Sequence, residues 1–552
     1  MRYALLGILA SVPAWCGGLL LDAARGDDAA AVKVLIRGGA DANEAGEDGT
    51  TALAWAANRC NAAIAGTLLA AGADPDRTSE MGIGPLWLSI TNGCEGMPAT
   101  LLAAGANPNV ARENGESPLM VAARLGQVAV MEALIARGAD VNARDKKFGQ
   151  TALMWAARKP AAVRLLLAHG ADAKALTSEW EVKYTVYAPT TVTLGKTGIP
   201  WNTDGAFVGR AGGRSALFFA VQAHERESAR MLIEAAADVN AADAGGTTPL
   251  LAALYNWDPP EVTFIPGKGA PAPAGSSQRF RPDLAMAELL IERGAKPGGA
   301  DAAGYTALHG AALAVADAAL GPEFRRGGAY GNKAALLSMG RAASEASELP
   351  AALGIVEKLL AAGADPNRQT VFPTPGPAGD VRINPAPPGS SAYHIAAASR
   401  SLELVRMLSA SGADSNLLRK DGHTPFSVAV MAGDVEVAKY MLEHGADLEK
   451  IYDPTEKIPD PVEPITVTRQ KQTIMHIAAL SGSPAMVTFL RSKGARMDLR
   501  NSAGETPLDL ADHQERYREA IMKQAAEGDA EKVAKVVRPT EMTAAFRAAI
   551  GR

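Results

Sequence analysis

Aromatic side chains are scarce in this chain, 5% of 552 residues, although hydrophobic residues as a whole reach 47%. Thin layers of Ala and Leu need little aromatic filling, so the composition suits a stack of small layers. Of the three cysteines, no two stand at zinc-ligand spacing. HExxH, CxxCH, GxSxG and Walker-type strings are all missing, which removes the usual signatures of metalloproteases, haem attachment, serine hydrolases and nucleotide binding. No segment after residue 18 is long and apolar enough to span a bilayer, so the mature chain is expected to be soluble. A formal net charge of −5 argues against a general nucleic-acid binder.

What is present is a period. A glycine followed by Ala and then Asp or Asn returns at Gly39, Gly72, Gly105 and Gly138, three successive intervals of 33, and again at Gly412 and Gly445. A fixed period in this range marks a repeat array. Residues 113–142 show one unit. Asn114–Gly115 signals a turn, Ser117 is a natural N-cap, and Pro118 suits the first helical position. Leu119, Ala122 and Ala123 give a first helix a narrow apolar face, and Gly126 ends it. Val128, Val130, Met131, Leu134 and Ile135 form the stripe of a second helix, closed by Gly138 in the left-handed conformation. Neither helix can bury its stripe alone, so the unit needs copies on both sides.

The recurring phrases SPLMVAA, TALMWAA, TPLLAAL and TALHGAA, each followed by LLxxGAD or a variant, resemble the ankyrin repeat. Units are anchored at Gly39, Gly72, Gly105, Gly138, Gly170, Ala236, Gly294, Gly363, Gly412, Gly445 and Gly494, with a twelfth beginning at Gly504. The resemblance implies an all-α repeat solenoid of about 12 units with short β-hairpin fingers, forming a single curved body. The domain plan is an export signal at 1–18, five repeats at 19–174, a finger insertion at 175–211, further repeats at 212–513, and a helical C-terminal cap at 514–552. Longer intervals place insertions at 258–281, 315–350, 368–388 and 449–470. The string EWEVKYTVYAPTTVTLG in the 175–211 finger insertion alternates β-branched and aromatic residues and reads as a hairpin.

The N-terminus adds a second signal. Arg2, the apolar run Tyr3–Val12 and a small-residue site near Ala14 resemble a short bacterial export signal, which predicts a periplasmic or secreted protein. The other reading is a hydrophobic capping helix. Trp15 precedes Cys16 where a lipobox requires a small residue, so no lipid anchor is expected. Cys60 and Cys94 stand at nearly equivalent places in adjacent repeats. Equivalent places lie roughly 10 Å apart and a disulfide needs Cα atoms within about 7 Å, so two buried thiols are expected, with a disulfide as the alternative.

His309, His394 and His476 could suggest a metal triad. Each occupies the fourth place of the TPLH-type phrase, where the ankyrin family uses His to bond the neighbouring finger. Neither a metal nor any other cofactor is expected, and no catalytic residue; Ser215 reads as a helix cap. Binding is the expected activity. The resemblance points to the helix ends and fingers: Arg59, Asn92, Arg124, Arg158, Lys159 and Arg400, with Lys147 and Phe148 on a finger. Trp180, Tyr184, Tyr187 and Trp201 cluster in the longest finger insertion, and Tyr255 and Trp257 stand at the mouth of the next; Trp, Tyr and Arg are the residues that dominate interfaces. Trp55 and Trp155, at matching helix positions, are expected in the core. The expected function is a monomeric, non-catalytic scaffold or inhibitor that binds another protein with an acidic surface. The alternative is a carbohydrate or cell-wall binding module.

Overall fold

A computed structural model describes residues 17–185, 206–255, 282–320, 348–371, 389–419, 422–449, 472–481, 483–501 and 503–512, together with 544, 547 and 548. The proposed export signal up to Cys16, most of the 258–281, 315–350, 368–388 and 449–470 insertions, and nearly all of the C-terminal cap lie outside these residues. Among the described residues no helix is long and apolar enough to cross a membrane.

The local structure follows the residues. Ser117 sits in extended backbone and caps the helix Pro118–Leu125, its Oγ accepting the Met120 N–H at 3.3 Å. Gly126 ends that helix at φ 72°, and a second helix, Val128–Ala136, returns antiparallel beside it with Met131 and Leu134 fully buried. Thr51, Ser215, Thr248 and Thr424 cap the corresponding helices Ala52–Asn58, Ala216–Gln222, Pro249–Leu254 and Pro425–Ala432 in the same way. The recurring glycine after each second helix has φ between 82° and 96° from Gly39 through Gly170. A Cβ at Gly39, Gly72, Gly105 or Gly138 would meet nothing within 4 Å, so it is the left-handed backbone, not space, that selects glycine there. Ala236 holds the same place at φ 61°, against its steric preference.

The residues fall into two compact units, Met1–Trp180 with Gly212–Ala244, and Glu181–Ala211 with Gly245–Arg552. Within each, one side chain four residues after the closing glycine ties several repeats to the next. In the first unit Asn109 donates from Nδ2 to the Gly138 carbonyl at 2.9 Å and accepts the Asp140 N–H at 2.8 Å. Asn43 and Asn142 do the same for Gly72/Asp74 and Gly170/Asp172. In the second unit Asn367 and Asn416 serve Gly412/Asp414 and Gly445/Asp447. Asp76 occupies this place in the second repeat; its Oδ1 accepts the Asn107 N–H at 2.8 Å, but a carboxylate has no N–H to offer the Gly105 carbonyl.

The second unit has a further tie. His309 Nδ1 accepts the Thr306 N–H, and its Nε2 reaches the Ser390 carbonyl at 3.2 Å. His394 reaches the His423 carbonyl at 3.2 Å and His476 that of Glu505 at 2.9 Å. The three histidines are structural and bond the neighbouring finger.

The hairpin expected in the 175–211 insertion pairs β1 (Glu179–Thr185) with β2 (Ala206–Gly212), its second strand lying beyond the alternating run, and it grows from the finger stem, where Leu176 bridges Ser215 and the Thr177 N–H meets the Arg214 carbonyl at 3.0 Å. Two expectations need correction. The span 315–350 begins and ends in helix: Ala307–Leu320 runs on past residue 315 with Val315, Ala316 and Asp317 buried, and Leu349–Ala361 starts before residue 350. Cys60 and Cys94 are joined as a disulfide with Cα atoms 5.0 Å apart. The one-residue displacement of Cys94 from the position equivalent to Cys60 is what decides it: Cys60 (φ 58°) matches Gly93 (φ 68°), and the diagonal to Cys94 is short enough to bridge.

Asp76→Asn is expected to supply the missing donor to Gly105 and stabilise the first unit by about 0.5–1.5 kcal/mol; a thermal midpoint that does not rise would mean that this carbonyl needs no partner. A second expectation concerns pH. Burial pushes His309 down from 6.5 to about 4, and burial also lowers His476. Because the folded value lies below the unfolded one, the contribution of His309 is complete above pH 6.5 and is lost as pH falls from there to about 4, on the order of 3 kcal/mol. Thermal melts at pH 7 and pH 4.5 check this, and His309→Gln should flatten the difference.

Candidate partner-binding face

The first unit carries most of the residues that the repeat register singles out. Arg59 and Asn92 terminate the first helices of their repeats and are exposed, and Asn92 is fixed by Nδ2 hydrogen bonds to the Asn58 carbonyl and Oδ1 at 3.0 and 2.9 Å. The disulfide between Cys60 and Cys94 staples these two helix ends together. Arg158 and Lys159 are exposed at the end of the fifth repeat's first helix, Ala152–Trp155 and its last turn.

Arg124 is committed elsewhere. Its guanidinium lies 5.0 Å from the centroid of Trp155 and 3.8 Å from a carboxylate oxygen of Glu116. Arg112 completes the group, with Nη1 donating to Glu116 Oε2 at 3.0 Å and its guanidinium 4.9 Å from the centroid of Trp87. The Trp155 ring expected in the core is therefore only half-buried, with an arginine as its lid, and Trp55 is covered likewise by Arg25 at 5.3 Å.

The finger residues converge. Asp145, buried at the base of its finger, accepts the N–H groups of Lys147, Phe148 and Gln150 and sets the tip conformation. The Ser178 N–H donates to the Phe148 carbonyl at 2.8 Å, which links this finger to the stem of β1. Trp180 thereby lands on Phe148, with ring centroids 5.2 Å apart, and still leaves 39% of its surface exposed. Lys147 lies 4.9 Å from the Phe148 centroid, and Lys146 beside it is exposed. Gly212 makes room for this arrangement: at φ 95°, a Cβ there would fall 1.9 Å from the Ser178 carbonyl oxygen and 2.8 Å from Trp180 Cζ3.

The remaining candidates are dispersed or undescribed. Tyr184 lies in β1. Tyr187, Trp201 and Trp257 fall outside the described residues. Tyr255 is a packing residue, stacked on the buried Tyr305 at 4.8 Å. Arg400, in the second unit, has φ 58° and donates to the Ala432 carbonyl at 2.5 Å. Sequence reasoning missed Trp87, Arg112 and Glu116, and also the exposed apolar side chains Met81 and Leu176 on the fingers. A signal for Trp87 was available, since it stands in the fourth place of the GPLW phrase, where three phrases of the second unit have His309, His394 and His476. Among the described residues no group of His, Cys, Asp and Glu could hold a metal ion.

Stacked helix pairs with projecting fingers define a repeat-scaffold protein. Models of "Ankyrin repeats" match residues 19–111, 86–177 and 345–452 in one form and 426–491 in another, together more than half of the chain. The chain belongs to the ankyrin-repeat family. It is 36% identical over 134 residues to cyclin-dependent kinase 4 inhibitor B of Mus musculus, covering 24% of this chain and 91% of that protein. Human cyclin-dependent kinase inhibitor 2A is 34% identical over 125 residues, 23% of this chain and 70% of the relative. E3 ubiquitin-protein ligase KEG of Arabidopsis thaliana is 25% identical over 361 residues, 54% of this chain and 20% of the relative.

Gly212→Ala is expected to lower the thermal midpoint of the first unit more than Trp180→Ala does. The latter removes an aromatic contact worth about 0.5–1.5 kcal/mol, whereas the former forces a backbone clash. Equal melting of the two variants would remove the role given to Gly212.

Proposed function

We propose that this protein is a non-catalytic scaffold or inhibitor that captures another protein, acting as a monomer and using the finger and helix-end face of its first unit. The observation that carries the proposal is the pair Phe148–Trp180: an indole held in place by a second ring and by the Gly212 backbone, yet 39% exposed and flanked by two lysines. Interface hot spots have this character, aromatic and already ordered, so little entropy is lost on docking. The relatives support the same reading, since two of them carry the name of kinase inhibitors. Lys146, Lys147, Arg158 and Lys159 favour a partner with an acidic surface. A carbohydrate role draws no support from Trp55, Trp87 and Trp155, each of which has a guanidinium over its ring.

The proposal includes an oxidising compartment, periplasmic or extracellular. The Cys60–Cys94 pairing supports it, because disulfides persist there and are rare in reducing cytosol. The apolar run Tyr3–Val12 fits the same picture as part of an export signal.

Two measurements test these statements. Wild-type protein used as bait in an extract of the native host's exported fraction is expected to retain one stoichiometric protein, and Trp180→Ala to lose it at least tenfold while keeping its fold by circular dichroism. Retention unchanged by the substitution would move the site elsewhere. Protein isolated from its host without reductant is expected to yield a Cys60–Cys94 linked peptide pair by mass spectrometry; recovery of free thiols alone would end the compartment proposal.

A further inference from the structure

At one repeat boundary of the first unit, an unusual set of side chains replaces the bond seen in the second. His394 and His476 each reach the carbonyl 29 residues ahead, those of His423 and Glu505. The same place in the third repeat holds Trp87, and 29 residues ahead stands Glu116. The Glu116 carbonyl accepts the Arg112 N–H at 3.1 Å, and Trp87 Nε1 is buried without an acceptor. Side chains fill the boundary instead. Arg112 covers Trp87 and donates to Glu116, Arg124 approaches the same carboxylate from the other side, and Arg124 covers Trp155 of the fifth repeat.

This chain of five residues is out of balance in two ways. It holds two guanidinium groups against a single carboxylate, a surplus of one positive charge. It also holds three buried N–H groups with no acceptor: Trp87 Nε1, Arg112 Nε and Trp155 Nε1. An unpaired buried donor is costly, and a surplus positive charge on a half-exposed guanidinium favours an anionic acceptor. The guanidinium groups can meet one. The side chains of Arg112 and Arg124 are 29% and 51% exposed, whereas that of Glu116 is 6% exposed. Arg124 sits 3.8 Å from its carboxylate oxygen, beyond a hydrogen bond, and as the more exposed of the two it can donate to a newcomer from its place over Trp155. The next repeat extends the positive edge: Lys159 lays its stem against Gly126, where a Cβ would stand 3.2 Å from Lys159 Cδ.

We infer that the Trp87–Arg112–Glu116–Arg124–Trp155 group is a docking site for an aspartate or glutamate side chain of the captured protein. The inference rests on the scaffold reading above and narrows it to the chemistry of the partner. A carboxylate matches the planar fork of Arg124, and its single charge equals the surplus. A doubly charged phosphate would face Glu116. Glu116 holds Arg112 in place and keeps the two cations together while Arg124 makes the new bond. The indoles on both sides exclude water and strengthen that bond.

The test uses the full chain labelled with ¹⁵N and the capped peptide acetyl-hexaglutamate amide as probe. Among the indole N–H signals of the seven tryptophans, those assigned by Trp87→Phe and Trp155→Phe are expected to shift saturably. Affinity should fall at least tenfold in Arg124→Ala and rise several-fold in Glu116→Gln, which removes a negative charge from beneath the site. The half-exposed Arg124 keeps the test open if Glu116→Gln fails to fold. Absence of shifts at both indoles, the same shifts with the hexaglutamine peptide, or equal shifts with inorganic phosphate at the same concentration would each overturn the inference. The two readings also fail separately. A protein captured through Trp180 but indifferent to Arg124→Ala leaves the scaffold standing without the carboxylate site. Indole shifts with hexaglutamate but no captured protein leave the site standing without the scaffold.

Discussion

A single asparagine side chain spanning two repeats is the constraint on which the stack depends. Helices of seven to nine residues, such as Ala52–Asn58 and Val128–Ala136, are too short to persist alone. Burial of their stripes holds them, but burial is non-directional and would tolerate layers sliding over one another. Asn109 removes that freedom by donating to the Gly138 carbonyl and accepting from Asp140 N–H, two bonds that can form only at one register. The left-handed glycine is part of the same device, because its backbone turn carries that carbonyl and the following N–H to the Asn side chain. Period, glycine and Asn are thus one requirement read three ways.

Where this scaffold is uniform it is inert, and where a repeat departs from the pattern it acquires chemistry. In the second unit the buried histidines use both ring nitrogens and leave nothing over. The first unit has Ala54, Trp87, Met120, Met154 and Phe218 at the corresponding places, none of which can bond the next finger through a second ring nitrogen. Arginines close the gap: Arg112 over Trp87, and Arg214 over Phe218 with Asp243 as its ion partner. A cation over a ring seals an apolar gap while keeping its charge at the surface. At Trp155 the same packing leaves Arg124 half-exposed, a cation placed by its ring contact.

Features written within one repeat were legible in the sequence. The caps at Ser117 and Ser215, the closing glycines, the buried Met131 and Leu134, and the finger bonds of His309, His394 and His476 all depend on residues within a few positions of one another or on the repeat period itself. Features that depend on placement between repeats were not. The one-residue offset between Cys60 and Cys94 stands in the sequence, but that it shortens the span to a disulfide is decided by how the two repeats stack. The alternation in residues 179–195 identified β1, but its partner was decided by the finger stem at Leu176 and Ser215. Arg124 looked free on its helix end because Trp155, the ring it covers, lies in the next repeat.

The placement of Trp180 follows from the same logic and explains why binding would concentrate there. An insertion that leaves a finger starts with no layer beneath it, so its first residues must find support from the neighbouring finger or remain unordered. The Ser178 N–H takes that support from the Phe148 carbonyl, and the glycine at 212 lets the returning strand come close enough to confine the indole between backbone and ring. Asp145 has already fixed the Phe148 finger through three N–H groups. The cost of ordering Trp180 is therefore met during folding, through bonds that hold the finger in register with the stack. A partner that covers the remaining exposed face of the ring gains apolar burial without repeating that cost. The lysines alongside add steering but cannot substitute for it, since exposed charges are screened at physiological salt and a preorganised ring is not.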